Sequence, residues 1–319
     1  MMRRLKPVIC GLLVTALTMT RADARTGCAV TMLGSLPLRN DVLFLHVPVE
    51  IGSQTRDMIT DTGSEGSLIT PKAADALHLS VDPHRRTVIH GPDGRSETVR
   101  NRIAPDLRLG QLDFGAWSFP LGILPNLPKS LEGLSGLIGA DMMQDLALEF
   151  DAPRHRLRFW RYTPVAGGCN PIPPFGAAGI PNGARWIKLK ALRRGLRLNV
   201  VFILDGVMGN ALIDSGARSI TLSRRFANHM GVSNQMLAKD RGGITSGVDL
   251  NARRYYWHHF SALSFASDAT EAERPILTLK APVITVSDID DDNDMLLGAD
   301  FISRHDVWVS FQTSSVFIR

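Results

Sequence analysis

Apolar and polar positions alternate in short runs along most of the chain, and two of these runs echo each other. Residues 43–61 read LFLHVPVEIGSQTRDMITD: an apolar-rich run, a Gly-Ser turn, then a second apolar run ending at Asp61. Residues 198–214 read LNVVFILDGVMGNALID, with the same order and an Asp-Gly turn, ending at Asp214. Each pattern predicts a β-hairpin that delivers an aspartate at its end. Short helices are predicted just downstream, around PKAADAL after Thr70 and SRRFANHM from Ser223. The likeness resumes near the end of each half. GLIGADMMQDLALEFDAPRHRLRFW and MLLGADFISRHDVWVSFQTSSVFIR each give two apolar residues, Gly-Ala-Asp, a short helix and two closing strands. Two motifs in one order, in both halves, mark an internal repeat at domain scale.

The rest of each half reads as short strands between turns, so the expected class is all-β with few, short helices in two repeated halves. Pro164–Gly183 is rich in Gly and Pro and cannot continue a helix or a central strand. The predicted division is residues 1–24 as a signal peptide, 25–163 as the first lobe, 164–184 as a linker and 185–319 as the second lobe.

Composition changes this picture only at the amino terminus. Three basic residues within MMRRLK precede an uncharged apolar run over residues 7–20 and a small-x-small pattern at Ala22-Asp23-Ala24. That is a secretory signal layout, with a run too short to favour a membrane span. Its removal takes Arg3, Arg4, Lys6 and Arg21 against Asp23 alone, so the net charge falls from +5 to about +2. Basicity is therefore largely a targeting feature. The remaining Arg pairs suit solvated faces, and no nucleic-acid partner is expected. The expected location is periplasmic or secreted, with no stable membrane insertion after cleavage. Of three cysteines, Cys28 and Cys169 lie beyond the signal and are available for one disulfide, which the sequence neither requires nor excludes.

The candidate chemistry lies where the hairpins end. DTGSEGSLIT spans 61–70 and DSGARSITLS spans 214–223. Two carboxyls held about 3 Å apart share one proton, so that one acts as base and the other as acid. Asp61 and Asp214 are the candidate pair. Thr62 and Ser215 carry hydroxyls suited to fixing the two loops across a pseudo-dyad. Gly63 and Gly216 permit close backbone approach and offer N–H groups to the carboxylates. Gly139 and Gly298 are read as structural, letting a crossing strand pack under each loop.

These residues resemble the aspartic proteases: DTGS and DSGA, each followed later by two apolar residues and a glycine. The short lobes and Gly-Ala-Asp endings are most similar to the retropepsin-like branch, here as a fused chain carrying both halves. The resemblance covers roughly residues 40–161 and 185–319. It implies two tandem retropepsin/pepsin-like β-barrel lobes with a pseudo-two-fold active-site cleft between them, a monomer that is its own pseudo-dimer, and no metal or organic cofactor. It implies an aspartic endopeptidase acting on a polypeptide substrate. The alternative is a catalytically inactive relative that binds peptides, and pairing of halves between chains is a third.

The two motifs differ at one position, Ser64 against Ala217. A Ser64 hydroxyl donating to Asp61 would favour ionised Asp61 and leave Asp214 holding the proton. Glycine-containing flaps are expected at His90–Arg95 and Arg241–Gly247. Asp141 and Asp300 are expected to cap the helices they precede. SDIDDDND at 287–294 lacks the glycine and glutamate of a calcium loop and is expected to be solvated. His258 and His259 face opposite sides of a strand and suit packing rather than metal binding.

Overall fold

The computed structural model describes residues 28–41, 43–90, 96–124, 127–164, 172–174, 186–246, 252–267, 275–289 and 292–319. The expected signal peptide, Cys169, most of the expected linker and both flap tips lie outside them. Among the described residues, no helix is long and apolar enough to cross a membrane.

Both predicted hairpins form. Strands Phe44–Ile51 and Gln54–Thr60 pair antiparallel, with Ile51 opposite Gln54 and His46 opposite Ile59. Strands Arg197–Leu204 and Val207–Ile213 pair likewise, with Leu204 opposite Val207 and Asn199 opposite Leu212. The tight second turn takes Asp205 and Gly206 through positive φ, 47° and 86°, the geometry that favours Asp-Gly in a two-residue hairpin loop. The hairpins superimpose in sequence at a constant offset of 153 residues, the separation of Thr62 and Ser215. Phe44 thus corresponds to Arg197, and Glu65 to Arg218.

Each hairpin is completed by a parallel partner from the later motif. Gly136–Ile138 runs beside Gln54–Thr60, and Met295–Leu297 beside Val207–Ile213. The fold is all-β, with an eight-stranded sheet in the first half and a ten-stranded sheet in the second. The helices are short. Pro71–Ala76 is capped by the Thr70 hydroxyl, which accepts from Ala73 N at 3.2 Å. Arg224–His229 is capped by Ser223, which accepts from Phe226 N at 3.1 Å. These caps satisfy amides that a short helix cannot pair internally.

A third, six-stranded sheet joins the halves in the order Ala29–Pro37, Arg156–Thr163, Ala147–Asp151, Asp306–Ser310, Ser315–Ile318, Ile187–Leu189. Three strands come from each side of the 164–184 segment. Its two central strands pair across the pseudo-axis, Phe150 opposite Val307 and Asp151 opposite Asp306. The side chains obey period two. Leu148, Phe150, Leu157, Phe159, Val307 and Val309 join the main core. Ala147, Trp160, Tyr162, Trp308 and Phe317 form a separate aromatic cluster, with Trp160 and Trp308 rings 5.4 Å apart. Cys28 packs at its margin and is disulfide-bonded.

Buried charges link the halves beside that cluster. Arg158 meets Glu149 at 3.1 Å and Asp151 at 2.7 Å, and Arg319 meets Asp306 at 2.8 Å and Glu149 at 3.4 Å. Burial pushes the Asp306 carboxyl upward, and Asp151 adds to the rise. Burial also acts on Asp151, yet hydrogen bonds from Asp306 and Arg158 reverse it and hold that carboxyl below its ordinary range. Breaking one member would strand the others in a low-dielectric site.

Candidate active site

The two aspartates sit where the hairpin strands end, and the fold brings them together. Asp61 N donates to Ile138 O at 2.9 Å, and Asp214 N donates to Leu297 O at 3.1 Å. The crossing strands therefore fix both backbones from beneath. The two carboxyl groups approach across the lobe boundary, each against the glycine of the opposite loop. Each is oriented by its own loop. Asp61 Oδ1 accepts from Gly63 N and Ser64 N, both at 2.9 Å. Asp214 Oδ1 accepts from Gly216 N at 3.1 Å and Ala217 N at 3.0 Å.

Thr62 and Ser215 lock the loops across the lobe boundary. Thr62 Oγ1 donates to Ile213 O at 2.6 Å and accepts from Ser215 N at 3.0 Å. Ser215 Oγ donates to Thr60 O at 2.5 Å and accepts from Thr62 N at 3.0 Å. All four bonds are buried, so each hydroxyl satisfies groups that water cannot reach.

The glycines set how closely the loops approach. A Cβ on Gly63 would lie 2.4 Å from Asp214 Cγ, and one on Gly216 would lie 2.3 Å from Asp61 Cγ. Any side chain at either position would collide with the opposite carboxyl. Gly139 and Gly298 work one layer down. A Cβ there would lie 2.5 Å from Gly66 C or 2.6 Å from Ser219 N.

Three sequence expectations need correction. The Ser64 hydroxyl donates to Gly66 O at 2.8 Å, not to Asp61. Its backbone N–H serves the carboxylate, and Ala217 supplies the equivalent N–H, so the Ser/Ala difference does not distinguish the aspartates. Asp141 and Asp300 are not caps. Gly139 and Gly298 hold the cap positions, without side-chain cap bonds. Asp141 Oδ1 accepts from Met142 N of its own helix at 2.9 Å and also from Ser67 N at 3.0 Å and Ser67 Oγ at 2.6 Å, while Asp300 Oδ1 accepts from Ile220 N at 2.8 Å. Each ties the later helix to the far end of an active loop. Finally, the 287–294 run is solvated only in part. Asn293 is buried against Asn199, and Asp294 accepts from Asn210 N at 3.0 Å.

Among the described residues no group of His, Cys, Asp or Glu is arranged to hold a metal. His258 Nδ1 lies 2.7 Å from Asp240 Oδ2, and its ring packs on Phe260. Both expected flaps lie on hairpins. Ser80–His90 pairs with Ser96–Leu109, and Gly242–Ser246 pairs with Ala252–His259.

The site is electrostatically lopsided. Burial pushes Asp61 up, and the Gly63 and Ser64 amides, the Asp214 side chain and the Arg197 charge pull it down without reversing the rise. Burial also pushes Asp214 up, and the charge of Asp61 pushes it further, well above the ordinary carboxylate range. Arg197 begins the opposite lobe's hairpin, and its Nε lies 3.9 Å from Glu65 Oε1. Sequence reading quoted Glu65 within the first loop motif without a role for it and did not reach Arg197. The available signal was the hairpin offset, which sets a cation at 197 against an aromatic ring at 44.

Residues 47–142 match the aspartyl protease family. The fold is an aspartic protease fold. The crystal structure of basic 7S globulin from soybean is similar, with a TM-score of 0.50 at 10% identity, over 91% of this chain and 95% of that one. No match is found among the curated proteins. Asp61 lies within the matched residues, and Asp214 lies at the corresponding place 153 residues on, at the end of the repeated hairpin.

Proposed function

We propose that this chain is an aspartic endopeptidase that cleaves extended polypeptides after export to the periplasm or the exterior. The close approach of Asp61 and Asp214 carries the reading: each carboxyl is held by its own loop and faces the glycine of the opposite loop. Two carboxyls this close share a proton over a range of pH, giving a base and an acid in one site. Asp61 takes the proton of the attacking water. Asp214, holding the shared proton, donates it to the scissile carbonyl oxygen. The proton accepted by Asp61 then passes to the leaving amine. Backbone amides orient both carboxyls beforehand, so little reorganisation is needed during the reaction. The chain acts as a monomer and needs no cofactor, since both halves of the dyad come from one polypeptide.

The test is cleavage of a diverse peptide library by residues 25–319 from about pH 3 to about pH 7, beside Asp61→Asn and Asp214→Asn. Cleavage by the parent that both substitutions abolish is expected. A folded parent that binds peptides and cleaves none would leave a peptide-binding protein. Cleavage surviving either substitution would place the chemistry elsewhere.

A further inference from the structure

The sheet that joins the halves carries a second pair of aspartates. Asp151 and Asp306 stand directly opposite each other on its two central strands, one from each half. Their row also holds Arg156, opposite Asp151, and Arg319, which exchanges both backbone hydrogen bonds with Asp306 at 3.0 and 3.1 Å. The charges across the row run plus, minus, minus, plus, and the two like charges meet at the lobe boundary. Residues opposite each other on one sheet face have Cβ atoms within about 5.5 Å, and like charges so placed are destabilising. Aligning the two Gly-Ala-Asp motifs sets Asp306 on Ala147 and Asp151 on Ser310. The symmetry mate of the pair is thus Ala147 opposite Ser310, which carries no charge.

Donors are divided unevenly between the two carboxyls. Asp151 has Arg154 Nη1 at 3.0 Å from Oδ1 and Arg158 Nη2 at 2.7 Å from Oδ2. Asp306 Oδ2 accepts from Arg319 Nε at 2.8 Å, and Arg154 Nη1 stands 3.9 Å from the same oxygen. One guanidinium nitrogen therefore spans both aspartates. Asp306 Oδ1 is buried and accepts from no group. The other charged neighbours are already placed. Glu149 meets Arg158, Arg319 and Trp160 Nε1, Arg156 is exposed, and the His305 ring turns to Phe301 O at 2.9 Å. A buried carboxylate oxygen without a donor is costly. A proton on Asp306 Oδ1 removes that cost and offers a donor to the carboxylate opposite.

We propose that Asp151 and Asp306 hold one proton between them and form a pH-dependent latch between the lobes, closed while the proton is held and loosened when it leaves at higher pH. The latch does not depend on the endopeptidase reading. Burial raises the Asp306 carboxyl, and Asp151 adds to the rise against the pull of Arg319. Burial acts on Asp151 too, but Asp306 and Arg158 hold it below its ordinary range. A raised folded value gives stability that is lost as pH rises through it, and a lowered one gives stability that is lost as pH falls through it. The singly protonated pair is therefore the most stable form, in the window between the two values. Above that window two carboxylates oppose each other in a buried seam. The Thr62–Ser215 lock crosses the same lobe boundary, so a loosened seam acts on the spacing of the dyad.

The experiment melts residues 25–319 carrying Asp214→Asn, which removes that group's own titration, with and without Asp306→Asn, from about pH 3 to about pH 8. The asparagine amide donates to Asp151 at every pH, and Asp61 titrates equally in both proteins. The Tm of the Asp214→Asn protein should fall by roughly 2–4 °C as pH rises through the latch, and Asp306→Asn should abolish that fall. The same fall in both proteins, or a fall in neither, overturns the inference. A second arm needs no substitution: hydrogen exchange of the parent, corrected for its intrinsic pH dependence. Strands 147–151 and 306–310 should lose protection at a lower pH than the hairpin strands 44–60 and 197–213. Loss of protection together, or in the reverse order, also overturns it.

Discussion

Around Asp61 the opposite lobe presents Arg197 to a glutamate, and around Asp214 it presents Phe44 to an arginine. Everything closer to the aspartates is nearly the same: paired amides to one carboxylate oxygen, a hydroxyl crossing to the other loop, and a glycine facing the opposite carboxyl. The inner geometry that a dyad requires is built twice. The charged contact one step further out, Glu65 with Arg197, has no like counterpart on the other side, where Arg218 covers Phe44.

The largest effect should come from destroying the dyad. Asp61→Asn and Asp214→Asn should each reduce peptide cleavage by about 100-fold or more, measured as kcat/KM. Unequal residual rates would sharpen the division of base and acid. Next in size, Gly63→Ala or Gly216→Ala should force the loops apart. Each is expected to destabilise the fold by about 1–3 kcal/mol in chemical denaturation and to remove most cleavage. If one is tolerated, the close approach is less mutual than the geometry implies. Thr62→Val should cost about 1–3 kcal/mol by leaving Ile213 O and Ser215 N without their buried partner. Ser215→Ala should match it, and a marked difference would mean that the two halves of the lock do not carry equal weight.

A fourth prediction concerns pH and stability. The folded pKa of Asp214 lies well above its model-compound value of 3.8. The native state therefore binds more protons than the unfolded chain between those two values, and this group's contribution to stability falls as pH rises through that window. Asp214→Asn has no such group. It should melt higher than the parent near neutrality, and the difference should shrink as pH falls below the raised value. A substitution that abolishes activity while raising Tm only at higher pH would mark a strained functional group. A constant difference at all pH values would count against that origin. The smallest effect is expected of Ser64→Ala. Its hydroxyl serves only the exposed Gly66 carbonyl, so stability should change by less than about 0.5 kcal/mol and the pH profile should stay in place.

The failed expectations at Asp141 and Asp300 share a cause, while that at Ser64 is a change of partner within its own loop. Ser64, Asp141 and Asp300 were given plausible local partners: the adjacent carboxylate for the first, the following helix for the others. In the fold, Asp141 and Asp300 bind amides tens of residues away in sequence, Asp141 in addition to Met142 N of its own helix, and the Ser64 hydroxyl turns along its own loop. Local propensity ranks possible partners but does not choose among them once long-range packing supplies a better one. The joining sheet was obscure for a related reason. Its strands come from the start, middle and end of the chain, and the periodicity of one strand does not name its neighbour.

What the sequence by itself determined was whatever depends on local stereochemistry and on repetition. Both hairpins, the Asp-Gly turn, the capped helices, the dyad aspartates and the glycines beside them are written in short stretches, and writing them twice made each copy a check on the other. The tertiary structure decided the rest: the mutual contact of the carboxyls, the cross-lobe lock, the buried charges of the shared sheet, and the meeting of Glu65 with Arg197. Burial and Coulomb interactions act through space between residues far apart in the chain. A pattern along the chain supplies the groups, and only their folded distances decide which of them feel one another.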